Sequence, residues 1–417
     1  MKKAVYVLLI SALFVQCSDD QDAAPANLPN LAPLSGETRT LVESSNGFAL
    51  DIFRQVYQAN PTHNVVLSPL SIDVALHMTT NGATGDTKAE MKQTLGVAEA
   101  SDDELNRAVR DLSAQLLSMD QRVTLSLANS IWFYDEFTLQ AGFDALIQTY
   151  YDGRIEGLDF KDPATKDRVN GWVADKTQGK ITNLLEEVKD DDVMYLINAI
   201  YFKADWQYRF DAKQTQDAPF YPEEGRKVMV PTMFSEGVKL RRYYGSSFEL
   251  LDIPYGNGQF SLVILLPHPD GSLAETMGQL NPANLSTWIA EADTLSPQLY
   301  LPKFKASFKM DARKELMELG MKLPFTWGKA NFSGFFNEVP GEKLFIDRVI
   351  HQAVIEVNEA GSEAAAATAV AISFLSLGSE PQPAVVRVDR PFAYFIREQH
   401  TEAILFAGTM MNPSASR

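Results

Sequence analysis

The chain has 417 residues, 45% hydrophobic and 22% charged, a balance that excludes wholesale disorder and allows a large buried core. With 37 basic against 54 acidic residues its net charge is −17, which argues against nucleic acid, an anionic membrane surface or a sulfated polyanion as partner. The single cysteine, Cys17, excludes an internal disulfide framework.

Lys2 and Lys3 precede an apolar run from Ala4 to Val15 that is too short to span a membrane comfortably, the pattern of an export signal. Leu13-Phe14-Val15-Gln16-Cys17 resembles a bacterial lipoprotein signal, whose cysteine is acylated after cleavage, with Gln16 in place of the usual small residue. Ser18-Asp19-Asp20 resembles the acidic export tag of some outer-membrane surface lipoproteins. The expected organisation is a signal peptide over 1–17 with Cys17 as lipid anchor, a flexible tether over 18–37 and one folded domain over 38–417. Removing the signal leaves 35 basic residues against 54 acidic ones, a net charge of −19. The alternative to anchorage at the outer membrane or cell surface is an ordinary secreted protein; both are exported.

The first half carries helix signals. Leu41, Phe48, Ile52 and Val56 fall near helical spacing. Thr87-Lys88-Ala89-Glu90 and Ser101-Asp102-Asp103-Glu104 each fit a capping box, and Leu105, Val109, Leu112 and Leu116 line one face of the helix that follows the second. Val123, Leu125 and Leu127 then alternate as a strand. The second half is strand-dominated. Val193 to Phe202 predicts a buried strand, and Phe248–Ile253 and Phe260–Leu266 flank a turn at Tyr255-Gly256-Asn257-Gly258. Further strands are expected near 298–308, 344–357, 384–388, 392–397 and 403–409, with helices at about 272–292 and 311–320. The class is α+β with large, mostly antiparallel sheets.

Chemistry-bearing patterns are missing from the sequence. The five histidines (His63, His77, His268, His351 and His400) show no H-x-x-x-H spacing, so no metal is expected. There is no G-x-S-x-G elbow and no dinucleotide-type glycine fingerprint. Gly82-Ala83-Thr84-Gly85-Asp86-Thr87-Lys88 lacks the spacing of a phosphate loop and fits a turn entering a helix. The chain is expected not to be an enzyme and to need no cofactor.

One stretch stands apart: Glu359-Ala360-Gly361-Ser362-Glu363-Ala364-Ala365-Ala366-Ala367-Thr368-Ala369-Val370-Ala371-Ile372-Ser373-Phe374-Leu375-Ser376. Its alanines favour a helix on composition. With a period of two, however, Ser362, Ala364, Ala366, Thr368, Val370 and Ile372 form a small or apolar set suited to a core. Glu363, Ala365, Ala367, Ala369, Ala371 and Ser373 form a second set suited to a covering layer or water. No Pro and no charge falls between Ala364 and Leu377, so the segment is compatible with an exposed loop, a helix or an internal strand.

The neighbouring residues carry a resemblance. Glu359 to Ala367 is similar to the hinge of inhibitory serpins, E-x-G-[TS]-E-A-A-x-A, at every fixed position. Asn64-Val65-Val66-Leu67-Ser68-Pro69-Leu70-Ser71-Ile72 and Asn198-Ala199-Ile200-Tyr201-Phe202-Lys203-Ala204-Asp205-Trp206 with Phe210 resemble two earlier family segments. Leu301-Pro302-Lys303-Phe304, Leu316 to Met321, Arg390-Pro391-Phe392, and Leu405-Phe406-Ala407-Gly408 with Asn412-Pro413 match later landmarks in order, so the likeness covers most of 38–417.

The resemblance implies a serpin fold: a large central sheet, two further sheets, about eight to nine helices and an exposed reactive loop. It implies a monomeric suicide inhibitor whose loop is cut by a target serine protease, held as an acyl-enzyme in a covalent complex, and inserted into the sheet. Each hydrogen bond so gained contributes roughly 0.5–1.5 kcal/mol, while ordering each residue costs roughly 1–2 kcal/mol, so relief of a metastable state must help. The hinge is Glu359, Gly361, Ser362, Glu363, Ala364, Ala365, Ala366, Ala367 and Thr368. Family spacing puts the reactive bond at Leu375-Ser376, with Phe374 as an alternative and Leu377 a weaker one. Such residues suit chymotrypsin- or elastase-like proteases, and no Arg or Lys from Ala364 through Val386 serves a trypsin-like one. Ser68, Ser71, Asn198 and His351 correspond to a polar cluster where the sheet opens, Lys303 and Glu359 to a salt bridge at the start of the loop, and Trp206 to the tryptophan beside it. A non-inhibitory serpin that acts by binding, or a cross-class inhibitor of cysteine proteases, is the alternative.

Overall fold

A computed structural model describes residues 31, 33–189, 192–223, 226–338, 344–362 and 383–415. The export signal, Cys17, tether residues 18–30, hinge residues Glu363 to Thr368 and the reactive bond at Leu375-Ser376 with Phe374 lie outside the described residues.

The first helix, Gly36–Ala59, starts where the Ser35 side chain accepts from the Thr38 N–H, and buries Leu41, Phe48, Ile52 and Val56 as their spacing predicts. Asp102–Ser118 opens on the predicted Ser101–Glu104 capping box and buries Leu105, Val109, Leu112 and Leu116. The other predicted box does not form. That helix, Gly85–Thr94, begins two residues before Thr87, and its N-cap Thr84 makes no side-chain cap bond. Tertiary partners take both groups instead: the Thr87 hydroxyl accepts from Asn331 N–H at 3.0 Å, and the Glu90 carboxylate accepts from Lys322 and Leu323 N–H. The helix expected over 272–292 is two, Leu273–Gln279 and Pro282–Ala290. Pro282 cannot continue a helix but opens one well, and Asn281 caps it.

Three larger sheets, and a two-stranded pairing of Phe336–Glu338 with Thr138–Leu139, form among the described residues. The seven-stranded sheet is antiparallel throughout, and its strands Phe260–Pro267, Phe392–Glu398 and Ile404–Met410 are buried along their whole length. A four-stranded sheet includes Gln298–Pro302 and Val385–Arg387, the strand that follows the alanine-rich stretch. The six-stranded sheet runs Phe304–Asp311, Arg348–Asn358, Gly361–Ser362, Met194–Asp205, Val123–Tyr134 and Arg154–Leu158 in order. The strand expected over 298–308 is thus split at Lys303 between two sheets.

Aromatic rings join the two largest sheets. Phe202 meets Phe260 and Phe406 edge-on at 5.9 and 6.0 Å, and Phe304 meets Phe392 and Tyr394 at 5.9 and 5.5 Å. Between them runs Pro69–Thr80, a helix with all twelve residues buried, Ser71, Asp73 and His77 included. The other face of the six-stranded sheet is covered by Ala164–Lys176, whose Val169 and Val173 pack with Ala128, Trp132, Tyr195 and Ile197.

Candidate functional site

The site is a seam inside the six-stranded sheet. Arg348–Asn358 and Met194–Asp205 pair parallel from Arg348↔Tyr195 to Ala353↔Ile200. Beyond Ala353 and Ile200 the pairing stops, and at the far end Gly361–Ser362 sits between the two strands, antiparallel to both. Ser362 lies opposite Val357 and Ala204, and Gly361 opposite Asn358 and Asp205. Strands two places apart in an antiparallel sheet run parallel, so an interior parallel pair marks a place where one strand's width has closed up. Higher up, the same two strands flank Gly361–Ser362 instead.

Polar side chains clip the closed half. The Ser68 backbone N–H donates to His351 Nε2 at 3.0 Å, which makes Nε2 an acceptor and leaves the proton on Nδ1. Nδ1 then donates to Asn198 Oδ1 at 2.7 Å, across the seam from its register partner. Asn198 Nδ2 donates in turn to Asn129 Oδ1 at 2.7 Å and to the Ser71 carbonyl. The Ser68 hydroxyl donates to the Leu405 carbonyl at 2.7 Å and also accepts from Ser71 N–H. Full burial pushes the His351 pKa down to about 3, so the imidazole is neutral, as this chain of bonds requires. Asn129 was not singled out in the sequence; it continues the Val123–Leu125–Leu127 alternation, where a polar side chain on an apolar face signals a partner. At the base of the seam the Asp347 carboxylate accepts from Val193 N–H at 2.7 Å and Met194 N–H at 3.0 Å. Burial pushes its pKa up to about 6 against the pull of those two bonds.

The open end is held differently. Lys303 Nζ lies 2.8 Å from Glu359 Oε2, and the Thr215 hydroxyl donates to Glu359 Oε1 at 2.7 Å. Burial would raise the Glu359 pKa, but the Lys303 and Thr215 bonds outweigh it and hold the carboxylate below its ordinary value. Trp206 grips the next residues: its indole Nε1 donates to Asn358 O at 2.8 Å and its backbone N–H to Ala360 O at 2.7 Å. The Trp206 ring stacks on Tyr255 at 4.3 Å and 10°, and the Tyr255 hydroxyl is 2.8 Å from Ser362 Oγ. Gly361 has φ +149°, and a Cβ there would lie 2.0 Å from Ala204 O, 2.6 Å from Asp205 Cα and 2.8 Å from Trp206 N, all backbone atoms. Of the predicted site residues that are described, Lys303, Glu359, Trp206, Gly361 and Ser362 therefore meet at the open end, and Ser68, Ser71, Asn198 and His351 in the closed half. Thr215 and Tyr255 were missed: nothing in the sequence marks the first, and the second was legible only as part of a turn. Among the described residues no three His, Cys, Asp or Glu side chains are placed to hold a metal.

One sheet thus parts around Gly361–Ser362, at the start of the alanine-rich segment. The family model described as "serpin (serine protease inhibitor)" matches residues 43–413, and the chain belongs to the serpin family. Human serpin B11 is 31% identical over 388 residues, covering 88% of this chain and 97% of that one. The native-state structure of tengpin, a thermophilic serpin, superposes with a TM-score of 0.82 at 29% identity, covering 92% of this chain and 96% of tengpin. Human thyroxine-binding globulin complexed with thyroxine superposes with a TM-score of 0.83 at 26% identity, covering 90% of this chain and 99% of that one. The fold is thus shared with family members of more than one activity.

Two outcomes are expected. His351 binds a proton far less readily in the folded chain than its ordinary value of about 6.5 allows, so its neutral form contributes stability above that pH, and this is lost as pH falls toward 3. Asp347 changes in the opposite sense, so the comparison is with His351→Gln, which keeps Asp347. Between pH 6 and pH 5 the wild type should lose roughly 1 kcal/mol relative to the variant in urea unfolding, and parallel pH curves would contradict the assignment. Gly361→Ala must push residue 361 off the Ala204–Trp206 backbone; exchange of the Trp206 amide, now bonded to Ala360 O, should speed up, and an unchanged rate would show that the contact is not limiting.

Proposed function

We propose that the chain is a suicide-type inhibitor of extracellular serine proteases with chymotrypsin- or elastase-like specificity, exported and lipid-anchored through Cys17 or else secreted. The observation that carries this reading is the register at the open end of the seam. Residue 361 faces 205 and residue 362 faces 204, so each step onward along the loop moves one step back along Met194–Asp205. Continued, the register ends with Ile372 opposite Met194, where that strand begins.

The same arithmetic sets Ser362, Ala364, Ala366, Thr368, Val370 and Ile372 opposite Ala204, Phe202, Ile200, Asn198, Leu196 and Met194. Five of those six partners belong to the main hydrophobic core. The sixth, Asn198, is a buried polar residue, and it would face Thr368, the one polar side chain beyond Ser362 in the set. On the other side, the register continued from Ser362↔Val357 sets Thr368 opposite His351. The small-residue alternation of the loop therefore fits the slot it would enter. Entry requires breaking the six-residue parallel pairing and the His351–Asn198 bond.

In the proposed reaction the protease serine Oγ attacks the Leu375 carbonyl carbon. The Leu375–Ser376 peptide bond breaks, the new amine at Ser376 takes the proton delivered by the protease's general acid, and Leu375 remains esterified to the protease. Insertion as far as Ile372 carries that ester past the end of the sheet at Met194, so the protease crosses the length of the molecule. Hydrolysis of the ester competes with this transit, and a fast zip is what separates inhibitor from substrate. The small-residue hinge, Glu359 to Thr368, favours this reading over that of a binding protein such as thyroxine-binding globulin, whose structure shares the fold.

The test is incubation with chymotrypsin, elastase and a papain-like protease, followed by denaturing electrophoresis and mass spectrometry of the released peptide. A covalent band with a cut after Leu375 or Phe374 is expected with a serine protease. Ala364→Arg or Ser362→Arg should convert the inhibitor into a substrate, cut at the same bond with the complex largely lost. A wild-type complex yield in either variant would rule out insertion at this seam.

A further inference from the structure

Tyr255 enters the sequence as the first residue of a hairpin turn, yet it is fully buried, and its hydroxyl reaches Ser362 Oγ at 2.8 Å. A buried phenol without a partner is costly, so the Tyr–Ser pair is stable only while Ser362 stays in the seam. Ser362 is itself 1% exposed. The ring lies flat on Trp206, which holds the carbonyls of Asn358 and Ala360, so Trp206 grips the hinge before Gly361 and Tyr255 grips it after, at Ser362.

The turn that carries Tyr255 is placed from outside the hinge. Asp120 Oδ2 accepts from Asn257 N–H at 2.6 Å, Asn257 Nδ2 donates to Met119 O at 3.2 Å, and Gly256 N–H donates to Asp205 O at 2.7 Å. Gly256 has φ +50°, and a Cβ there would stand 1.9 Å from Asp120 Oδ2, so glycine lets the turn approach Asp120 without displacing its carboxylate. Asp120 O also accepts from Val123 N–H at 3.0 Å, and Val123 is the register partner of Ala204. Val123, Ala204, Ser362, Tyr255, Asn257 and Asp120 thus close a ring around the mouth of the seam.

We infer that Tyr255 is a positioning residue that latches Ser362 in the seam, with Asp120 setting the latch, so that loop insertion is already nucleated in the resting protein and stands arrested at its second residue. This rests on the inhibitory reading for its consequence, though not for its geometry. The entropic cost of starting the strand is met before any protease arrives, and after cleavage insertion continues from Glu363 instead of beginning at Gly361. Loss of the latch shifts the cleaved chain toward release as substrate without slowing the first encounter.

The experiment uses the full chain as wild type, Tyr255→Phe, Ser362→Ala and the double variant. Amide exchange over 358–362 is followed by mass spectrometry, and stoichiometry of inhibition is measured apart from the association rate. Tyr255→Phe keeps the ring on Trp206 and should raise exchange about tenfold, as should Ser362→Ala, with no further rise in the double variant. More inhibitor should be consumed per protease at an undiminished association rate. Asp120→Ala should act in the same direction. Wild-type exchange in Tyr255→Phe, additive effects in the double variant, or slower association at unchanged stoichiometry would each overturn the latch. If the wild type traps no protease at all, the inhibitory reading fails, and the exchange data alone decide whether the latch exists.

Discussion

Two strands that should be separated by a third instead bond to each other, and only over half their length. Arg348–Asn358 and Met194–Asp205 pair parallel over six residues and part beyond, with Gly361–Ser362 between them at the far end. The lower bonds hold the two strands together, and beyond Ala353 and Ile200 that pairing gives way to Gly361–Ser362. Much of the surrounding architecture follows from this seam. The Phe202, Phe260 and Phe406 contacts join the seven-stranded sheet to one face, and Ala164–Lys176 packs over the other.

The closed half is held by a few directional bonds rather than by bulk. His351 has one donor and one acceptor, and both are used: Ser68 on one side, Asn198 on the other. Burial keeps the ring neutral, so the clip is specific without burying a charge. Nearby polarity is less well satisfied. The Ser71 hydroxyl, Asn129 Nδ2 and both ring nitrogens of His77 are buried without a hydrogen bond among the described residues, although His77 Nε2 is 3.5 Å from Asp73 Oδ1. Each such group costs about 1–3 kcal/mol.

The fold class was legible because long periodic segments dominate it: the heptad-like face of Asp102–Ser118 and the apolar run into Phe202 allow few alternatives. The local failures have physical causes. Thr87 and Glu90 look like a cap, but distant backbone N–H groups compete for both. A strand crossing from one sheet to another at Lys303 keeps its alternation, so nothing in the pattern announces the break. The parallel seam was not legible at all, since a pairing between segments so far apart in sequence leaves no mark on either. At the site, the hinge was readable from its small residues and the His351–Asn198 pair from family resemblance. Asn129, Thr215, Asp120 and Tyr255 came only from the geometry, because a hydrogen bond between residues 107 apart, as from Tyr255 to Ser362, leaves no mark on local sequence.

On the proposed inhibitory reading, this sheet is held short of its most stable arrangement by a seam that takes one more strand. Thermal unfolding of the intact chain and of the same chain nicked once at the reactive bond tests it most directly, because nicking frees the loop without adding a contact of its own. The nicked chain should melt more than ~10 °C higher than the intact one. A nicked chain that melts at the same temperature or lower would contradict it.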